Sequence, residues 1–338
     1  MKQKQKKLLL GGLIFLLLGG VGWVGFFKYT LYRIEANLAL AETTLKQKGF
    51  EVGYSALKVC GTPFSFNIII QAPHLKSPKG EIAWKGQVLN LSMPLWCWRK
   101  ATYNLFGEHH ITVGLEAIPL KGVYFKEAHG QIAWTSQQAL DQWSFLADQV
   151  KFFKGTRLQP IFLEGVTLTL KEMAHPLAMQ VYLTTILRGV DTFFQEPASS
   201  KPITFSFDAH FSGFQENRPF PGSLEEWRNG GGVLDISLLR LTWLPLDMAG
   251  EGTLTFDEDM YPLGSFSTRI TGFQEGLDHL VKGGIVAPKN AAMVAFVLNM
   301  LSRSSKDGKK QINIPITLQD KHMSIGSVPL IKMGRMNN

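Results

Sequence analysis

The sequence predicts a mainly β fold with a few helices, in which one N-terminal transmembrane helix is followed by a large antiparallel β-meander sheet. Two patterns support this prediction. The chain opens with an uncharged apolar stretch from Leu8 to Phe27. After residue 50, short runs alternate apolar and polar residues, which is the period of a strand whose two faces differ. Such a sheet can curve into an open groove.

The apolar stretch Leu8–Phe27 has the length of a membrane anchor. At a rise of about 1.5 Å per residue, this helix would cross a hydrocarbon core of about 30 Å. Positive charge is concentrated before it, on Lys2, Lys4, Lys6 and Lys7. The positive-inside rule then predicts a cytoplasmic tail at residues 1–7 and export of everything after residue 27. The alternative is a cleaved signal peptide, but the nearest A-x-A sequence, at 39–41, lies far beyond the apolar core.

The exported part divides into a stalk and two β subdomains. Residues 28–49 predict a helical stalk, because apolar residues recur at helical spacing until Gly49. Residues 50–196 form the first predicted β subdomain and residues 203–333 the second, which also contains helices. The stretch between them is rich in Pro and Ser, which favours a boundary there.

Clean alternation predicts strands with one apolar face, a pattern typical of antiparallel sheets. It occurs in five runs, at residues 64–70, 166–170, 203–211, 234–238 and 312–318. Pro315 cannot donate a ladder hydrogen bond, so we expect its strand to be at an edge or interrupted there. Helices are predicted from residue 223, over 271–282 and over 288–302, whereas 136–153 is ambiguous between helix and strand.

The two cysteines, Cys60 and Cys97, leave two interpretations open. In an oxidising compartment they could form a disulfide, and otherwise they are two buried thiols. The formal net charge of +8 includes the four lysines that precede the predicted anchor, and the other basic residues are not clustered. We therefore expect no nucleic-acid partner.

Catalytic and metal-binding signatures are missing from the sequence. It contains no G-x-S-x-G, H-E-x-x-H, Walker or C-x-x-C motif. In Glu108-His109-His110, neighbouring strand residues would face opposite ways, so the two histidines could not easily share an ion, and a polar turn before Ile111 is the simpler interpretation. We therefore expect no enzyme activity, no catalytic residues, no cofactor and no metal.

The aromatic content, 23 Phe and 8 Trp, allows two interpretations. Aromatic side chains commonly fill the core of a closed sandwich. Alternatively, a partly covered sheet face would bind acyl chains in an apolar trough. If the trough exists, we expect it to be lined by Phe205, Phe207, Phe211, Ile236 and Leu254.

Several segments carry a family resemblance. They are Gly61-Thr62-Pro63-Phe64, Trp227-Arg228, Gly230-Gly231-Gly232, Leu241–Leu246, Gly252-Thr253-Leu254, Pro262-Leu263-Gly264, Ile314–Asp320 and Ile325–Leu330. Together they resemble the alphaproteobacterial membrane-anchored envelope family catalogued as domain of unknown function 2125. The family pattern would have Gly at Leu244 and at Lys321, so the turn types there are in question. The layout of anchor, helix and long β-meander is also similar, more distantly, to AsmA-type envelope proteins.

The resemblance implies an uncharacterised protein of the cell envelope. We expect a single-pass protein of the bacterial inner membrane, with its C-terminal domain in the periplasm. The similarity to AsmA-type proteins implies lipid or hydrophobic-ligand handling in envelope maintenance. The alternative is a non-enzymatic scaffold or assembly partner for another envelope protein. The expected partners are the inner membrane, through the N-terminal helix, and either lipid or another envelope protein.

Overall fold

A computed structural model describes most of the chain. The described residues are 2–62, 64–78, 80, 82–97, 99–113, 122–135, 140–154, 157–173, 178–188, 202–213, 224–282, 288–304, 310–325 and 328–335. Within them, side chains are described from residue 18 onward, apart from some near the gaps and some between residues 288 and 297.

Four helices are found in the described residues. The first, α1 (Lys2–Gln47), runs without a break through the predicted anchor and stalk. The others are α2 (Leu224–Asn229), α3 (Phe273–Lys282) and α4 (Pro288–Leu301). The helices predicted from residue 223, over 271–282 and over 288–302 therefore form within one or two residues of the expected bounds.

Strands make up most of the rest, as the alternation predicts. The nineteen described strands are β1 (Glu51–Gly53), β2 (Ala56–Thr62), β3 (Ser65–Gln71), β4 (His74–Lys76), β5 (Ile82–Pro94), β6 (Lys100–Val113), β7 (Gly122–Phe125), β8 (Ala128–Trp134), β9 (Leu140–Lys154), β10 (Arg157–Met173), β11 (Ala178–Arg188), β12 (Ile203–Ser212), β13 (Leu234–Trp243), β14 (Leu246–Phe256), β15 (Pro262–Thr271), β16 (Arg303–Ser304), β17 (Lys310–Gln319), β18 (His322–Ile325) and β19 (Val328–Lys332). The ambiguous segment at 136–153 contributes β9.

These strands form a single antiparallel sheet. One side of β5 pairs with β3 and β4. β3 in turn pairs with β2, and β4 pairs with β1. The other side of β5 pairs with β6; β7 and β8 then lie end to end between β6 and β9. From β9 to β15 each strand pairs with the next, and β17, β18 and β19 complete the order, with β16 beside β17. Among the described strands, four pair on one side only, namely β1 and β2 at one edge and β16 and β19 at the other, so the described sheet is open at both edges.

The sheet crosses the predicted subdomain boundary. β11 pairs with β12 along ten residue pairs, from Ala178 with Ser212 to Leu187 with Ile203. Residues 189–201, which include the predicted linker, lie outside the described residues. The division into two subdomains stays a prediction, but the hydrogen-bonded ladder is continuous from one to the other.

Helices cover the two ends of the sheet. At the first end, Ile34 of α1 is buried with Phe66 and Ile68 of β3, and Phe27, Leu31 and Leu38 pack around them. At the other end, Phe273 of α3 is buried with Ile312 and Ile314 of β17, and Leu298 of α4 packs against them. Short α2 buries Trp227 beside β12, β13 and β14, and the indole Nε1 donates a hydrogen bond to the Ser212 carbonyl over 2.7 Å.

Candidate functional site

The most extended feature of the sheet is a row of directly paired residues that crosses thirteen strands without a charged side chain. From β2 to β17 the row consists of Val59, Ile68, Leu91, Tyr103, Gly130, Phe145, Leu168, Leu183, Phe207, Leu239, Gly250, Thr268 and Ile314. We call it the apolar row. At about 4.8 Å between strands, it is about 58 Å long.

A second uncharged row runs beside it on the same face. From β6 to β17 it consists of Ala101, Ile132, Trp143, Leu170, Val181, Ala209, Ile236, Gly252, Phe266 and Ile316. The opposite face is polar: Asn67, Ser92, Thr102, Gln131, Ser144 and Thr169 are paired in the same way. Because strand side chains alternate between faces, the sheet has one continuous apolar face.

The two hydroxyl groups in the apolar row are both satisfied. The Tyr103 hydroxyl donates to the Ser144 carbonyl over 2.7 Å, and the Thr268 hydroxyl donates to the Ile314 carbonyl over 2.7 Å. Burial raises the pKa of Tyr103 well above its ordinary value, so the phenol stays neutral. Neither residue therefore presents a free polar group to an apolar ligand.

Burial varies along the row: Val59 and Leu91 are half-buried, whereas Ile68, Tyr103, Gly130, Thr268 and Ile314 are buried. Ile68 lies beneath α1, and Ile314 lies in the cluster that Leu298 of α4 packs against. The six consecutive members on β9 to β14, namely Phe145, Leu168, Leu183, Phe207, Leu239 and Gly250, are all partly exposed. In a closed core, large side chains in such central positions are almost completely buried. We call the section formed by these six residues the trough.

All five residues predicted to line a trough lie on this face. Phe207 belongs to the apolar row, and Phe205 and Phe211 flank it on β12. Ile236 is buried at 6% exposure, so it forms part of the floor and cannot face a ligand. Leu254 packs in the same cluster as Phe207 and Phe211, whose ring is 6.2 Å from Trp227. Trp227 thus covers the Phe211 end of β12.

The sequence reasoning missed the part of the trough on β9, β10 and β11. Phe145, Leu168 and Leu183 lie directly in line with Phe207. A signal for β9 existed, since Trp143 and Phe145 alternate with polar Gln142 and Ser144, but this segment could also be a helix. The alternation at 166–170 predicts a strand there, but only the pairing register shows that Leu168 lies in line with Phe207, through Leu183.

His109 occupies an unexpected position on the same face. It lies within β6 and is completely buried, so the predicted polar turn before Ile111 is wrong. Its ring stacks between Trp84 and Phe125, at centroid distances of 6.0 and 5.2 Å, whereas His110 is exposed on the opposite face. The two histidines therefore point away from each other, as the strand period predicts.

Polar chemistry is sparse in the described residues. No group of three or more His, Cys, Asp or Glu side chains there could hold a metal ion. Cys60 and Cys97 are both free, half-buried thiols in this structure, which agrees with the second of the two interpretations that the sequence leaves open. A depression of about 310 Å³ is lined by polar groups, including Glu251, Arg269 and Asn313. Its lining does not suit an apolar ligand.

The structure describes the helical backbone of the whole predicted anchor, but its side chains only from residue 18 onward. Residues 8–17 belong to α1, but their side chains lie outside the described ones. Within the described part of the chain, no helix is long and apolar enough to cross a membrane. The membrane span at residues 8–27 stays a prediction.

The chain matches a known protein family over most of its length. Residues 29–333 match the model of a family described as an uncharacterized protein conserved in bacteria (DUF2125). The chain belongs to this family. The match begins two residues after the predicted anchor and spans the whole sheet, so the DUF2125 model covers both rows of the apolar face. Neither the curated proteins nor the solved structures that were compared include a match.

Proposed function

We propose that this DUF2125 protein is a membrane-anchored, non-enzymatic protein that shelters the acyl chain of a lipid, or a similar hydrophobic ligand, in the trough. The observation that carries the proposal is the half-exposed apolar row on β9 to β14, which has no charged member. We further propose that residues 8–27 hold it in the bacterial inner membrane, with the sheet in the periplasm.

The dimensions of the trough suit one acyl chain. Five strand spacings of about 4.8 Å give about 24 Å between β9 and β14. A hydrocarbon core of about 30 Å holds two leaflets, so one acyl chain extends about 15 Å. Each methylene that leaves water for an apolar surface contributes about 0.8 kcal/mol. A chain lying across Phe145 to Gly250 would therefore bind through many small, non-directional contacts.

The ligand can be tested in membranes with a photoactivatable phospholipid. The full chain is reconstituted in phosphatidylcholine vesicles that contain the probe, and labelled peptides are identified by mass spectrometry. We expect label on the strands of the trough and, separately, on residues 8–27. Label on residues 8–27 alone would support the anchor and contradict the trough.

Phe207→Asp and a matched control sharpen this test. The new carboxylate would lie in the trough, and the loss of contact with about two methylenes already corresponds to about 1.6 kcal/mol, or about fifteenfold weaker labelling. Thr204→Asp adds the same charge to the exposed, opposite face of β12 and should label normally. If Phe207→Asp fails to fold, Phe207→Ser takes its place. It removes the ring without adding charge and should also weaken labelling.

A scaffold role is the second candidate, because the described sheet has two open edges. β2 and β19 each have hydrogen-bonding groups on one side that no described strand satisfies. A strand of another envelope protein could add there. Crosslinking from the outward side of β19 in native membranes should then trap one dominant partner, whereas diffuse crosslinks would argue against this role.

A further inference from the structure

Two exposed aromatic side chains share one end of the first strands. Phe64, in the turn from β2 to β3, is 64% exposed, and Trp96, in the turn from β5 to β6, is 73% exposed. Their ring centroids are 6.4 Å apart. The two turns are joined by a hydrogen bond from the Leu95 N–H to the Phe64 carbonyl over 2.9 Å. We call Phe64 and Trp96 the aromatic tip.

The aromatic tip lies at the same end of the sheet as Phe27 of α1. Phe27 stacks on Phe66 at a centroid distance of 5.0 Å, and its ring contacts Gly61, so both contacts are next to the β2–β3 turn. From Phe27, α1 runs along the sheet away from the tip, and Glu42 accepts a hydrogen bond from the Tyr54 hydroxyl over 3.0 Å. Residues before Phe27 therefore extend beyond the turns.

The part of α1 that extends beyond the turns is apolar and exposed. Its described exposed side chains include Leu18, Val21, Trp23, Val24 and Phe26. This segment belongs to the predicted anchor. A bilayer around it would reach the level of the aromatic tip, where Trp and other aromatic rings are favoured at the boundary between hydrocarbon and water.

The charges beside the tip fit the same surface. Lys28 follows Phe27 on α1, and Arg99 and Lys100 follow Trp96 at the start of β6; all three are exposed. Cations beside interfacial aromatic rings are attracted to the anionic headgroups of a leaflet. Exposed aromatic and basic side chains thus coincide at one end of the sheet, next to the apolar segment of α1.

We propose that the aromatic tip inserts into the headgroup region of the same leaflet that α1 leaves, so that the sheet contacts the membrane at a second point. The proposal rests on the anchor in the proposed function, but not on ligand binding in the trough. Two points of contact would hold β2, β3 and β5 at a fixed orientation to the bilayer, with the α1-covered end of the apolar row at the membrane.

Fluorescence quenching in vesicles tests this contact. In the full chain with Cys60→Ser and Cys97→Ser, Trp96→Cys is labelled with an environment-sensitive fluorophore and reconstituted in vesicles of phosphatidylcholine and phosphatidylglycerol. Phe64→Cys is a second probe of the tip. The control is Ile82→Cys, which is 51% exposed and lies on the same strand as Pro94. Ile82 is twelve residues before Pro94, or about 40 Å along β5.

We expect phospholipids with a nitroxide at the headgroup to quench the tip probes about threefold or more above the control, because only the tip would lie among headgroups. Aqueous iodide should show the opposite order. Flotation of the vesicles reports the anchor separately. Chain that floats while tip and control probes are quenched equally overturns the proposal and leaves the anchor intact; chain that does not float overturns both. Tip quenching that persists in Phe207→Asp supports the tip whether or not the trough binds lipid.

Discussion

Buried His109 predicts that acid destabilises this fold through one identifiable side chain. The ring is completely buried between Trp84 and Phe125. Its Nε2 lies 3.3 Å from the Phe106 carbonyl, while within the described structure Nδ1 has no hydrogen-bond partner and faces Gly86. A protonated imidazole would need a partner for both N–H groups.

Burial is the largest effect and lowers the pKa of His109; the Phe106 carbonyl is the next largest and raises it, and the nearby His110 lowers it by the smallest amount. The unfolded chain takes up the proton near the ordinary value of about 6.5, whereas the folded chain resists it. The stability that depends on neutral His109 is therefore complete above that value and is lost as the pH falls through it toward the folded pKa. When the unfolded chain binds one proton more than the folded chain, the free energy of unfolding falls by up to about 1.4 kcal/mol for each pH unit of acidification.

The assay is urea unfolding of the full chain in detergent between about pH 8 and about pH 5. His109→Phe keeps the aromatic stack and cannot be protonated, so its free energy of unfolding should fall less steeply with acid than that of the wild type. His129→Gln, an exposed position on β8, should retain the wild-type slope. Parallel curves for wild type and His109→Phe would refute the reasoning.

Three further substitutions probe the packing of the apolar face, each measured as the urea midpoint. Tyr103→Phe removes the 2.7 Å hydrogen bond to the Ser144 carbonyl and should destabilise the fold by about 1 kcal/mol; an unchanged midpoint would mean that water replaces the hydroxyl. Gly130→Ala should cost more, about 1–3 kcal/mol, because its Cβ would meet the Ser144 carbonyl and the Tyr103 hydroxyl; a smaller loss than in Tyr103→Phe would contradict this order. Trp227→Phe removes the hydrogen bond to the Ser212 carbonyl and leaves space in a buried site, so we expect the free energy of unfolding to fall by about 1–3 kcal/mol. An unchanged midpoint would show that α2 does not hold this end of β12.

Local pattern predicted the elements where one face is apolar and the other polar. The alternation at 203–211 became β12, and that at 312–318 became β17. Pro315 illustrates the precision of such reasoning. β17 pairs with β16 at Lys310 and Gln311 and with β18 only from Ile316 onward, so Pro315 lies where no described strand pairs on that side. The expectation of an edge or an interruption at Pro315 is therefore confirmed for this side of β17, whereas on the other side Pro315 pairs with Ser267 of β15.

Turn chemistry was predicted less completely. The family resemblance would place Gly at Lys321, and Lys321 indeed has a left-handed φ of 65°, next to Asp320 at 53°. In this left-handed conformation, the Lys321 amino group lies 3.6 Å from the Asp259 carboxylate and 4.7 Å from the centre of the Tyr261 ring. His109 was assigned to a turn because its neighbours are polar. Local composition could not reveal that Gly86, on the paired strand, leaves room for a buried ring.

The sequence predicts residues that would line a trough on β12, β13 and β14, but the extent of the apolar row across the other strands could not be predicted, because it depends on strand register. The sequence of each strand shows only that alternate residues are apolar. Thirteen residues, one from each strand, align as one row through twelve strand pairings. A slip of one residue at any pairing would move the remaining residues to the polar face. The way this row is covered is the physical basis of the ligand proposed above. The chain seals the apolar face with α1 at one end, with α3 and α4 at the other, and with Trp227 beside Phe211. Large side chains from Phe145 to Leu239 lie between these covers and are still partly exposed. Since exposed apolar surface lowers stability, an acyl chain that occupies this section would complete the packing that the described helices provide elsewhere.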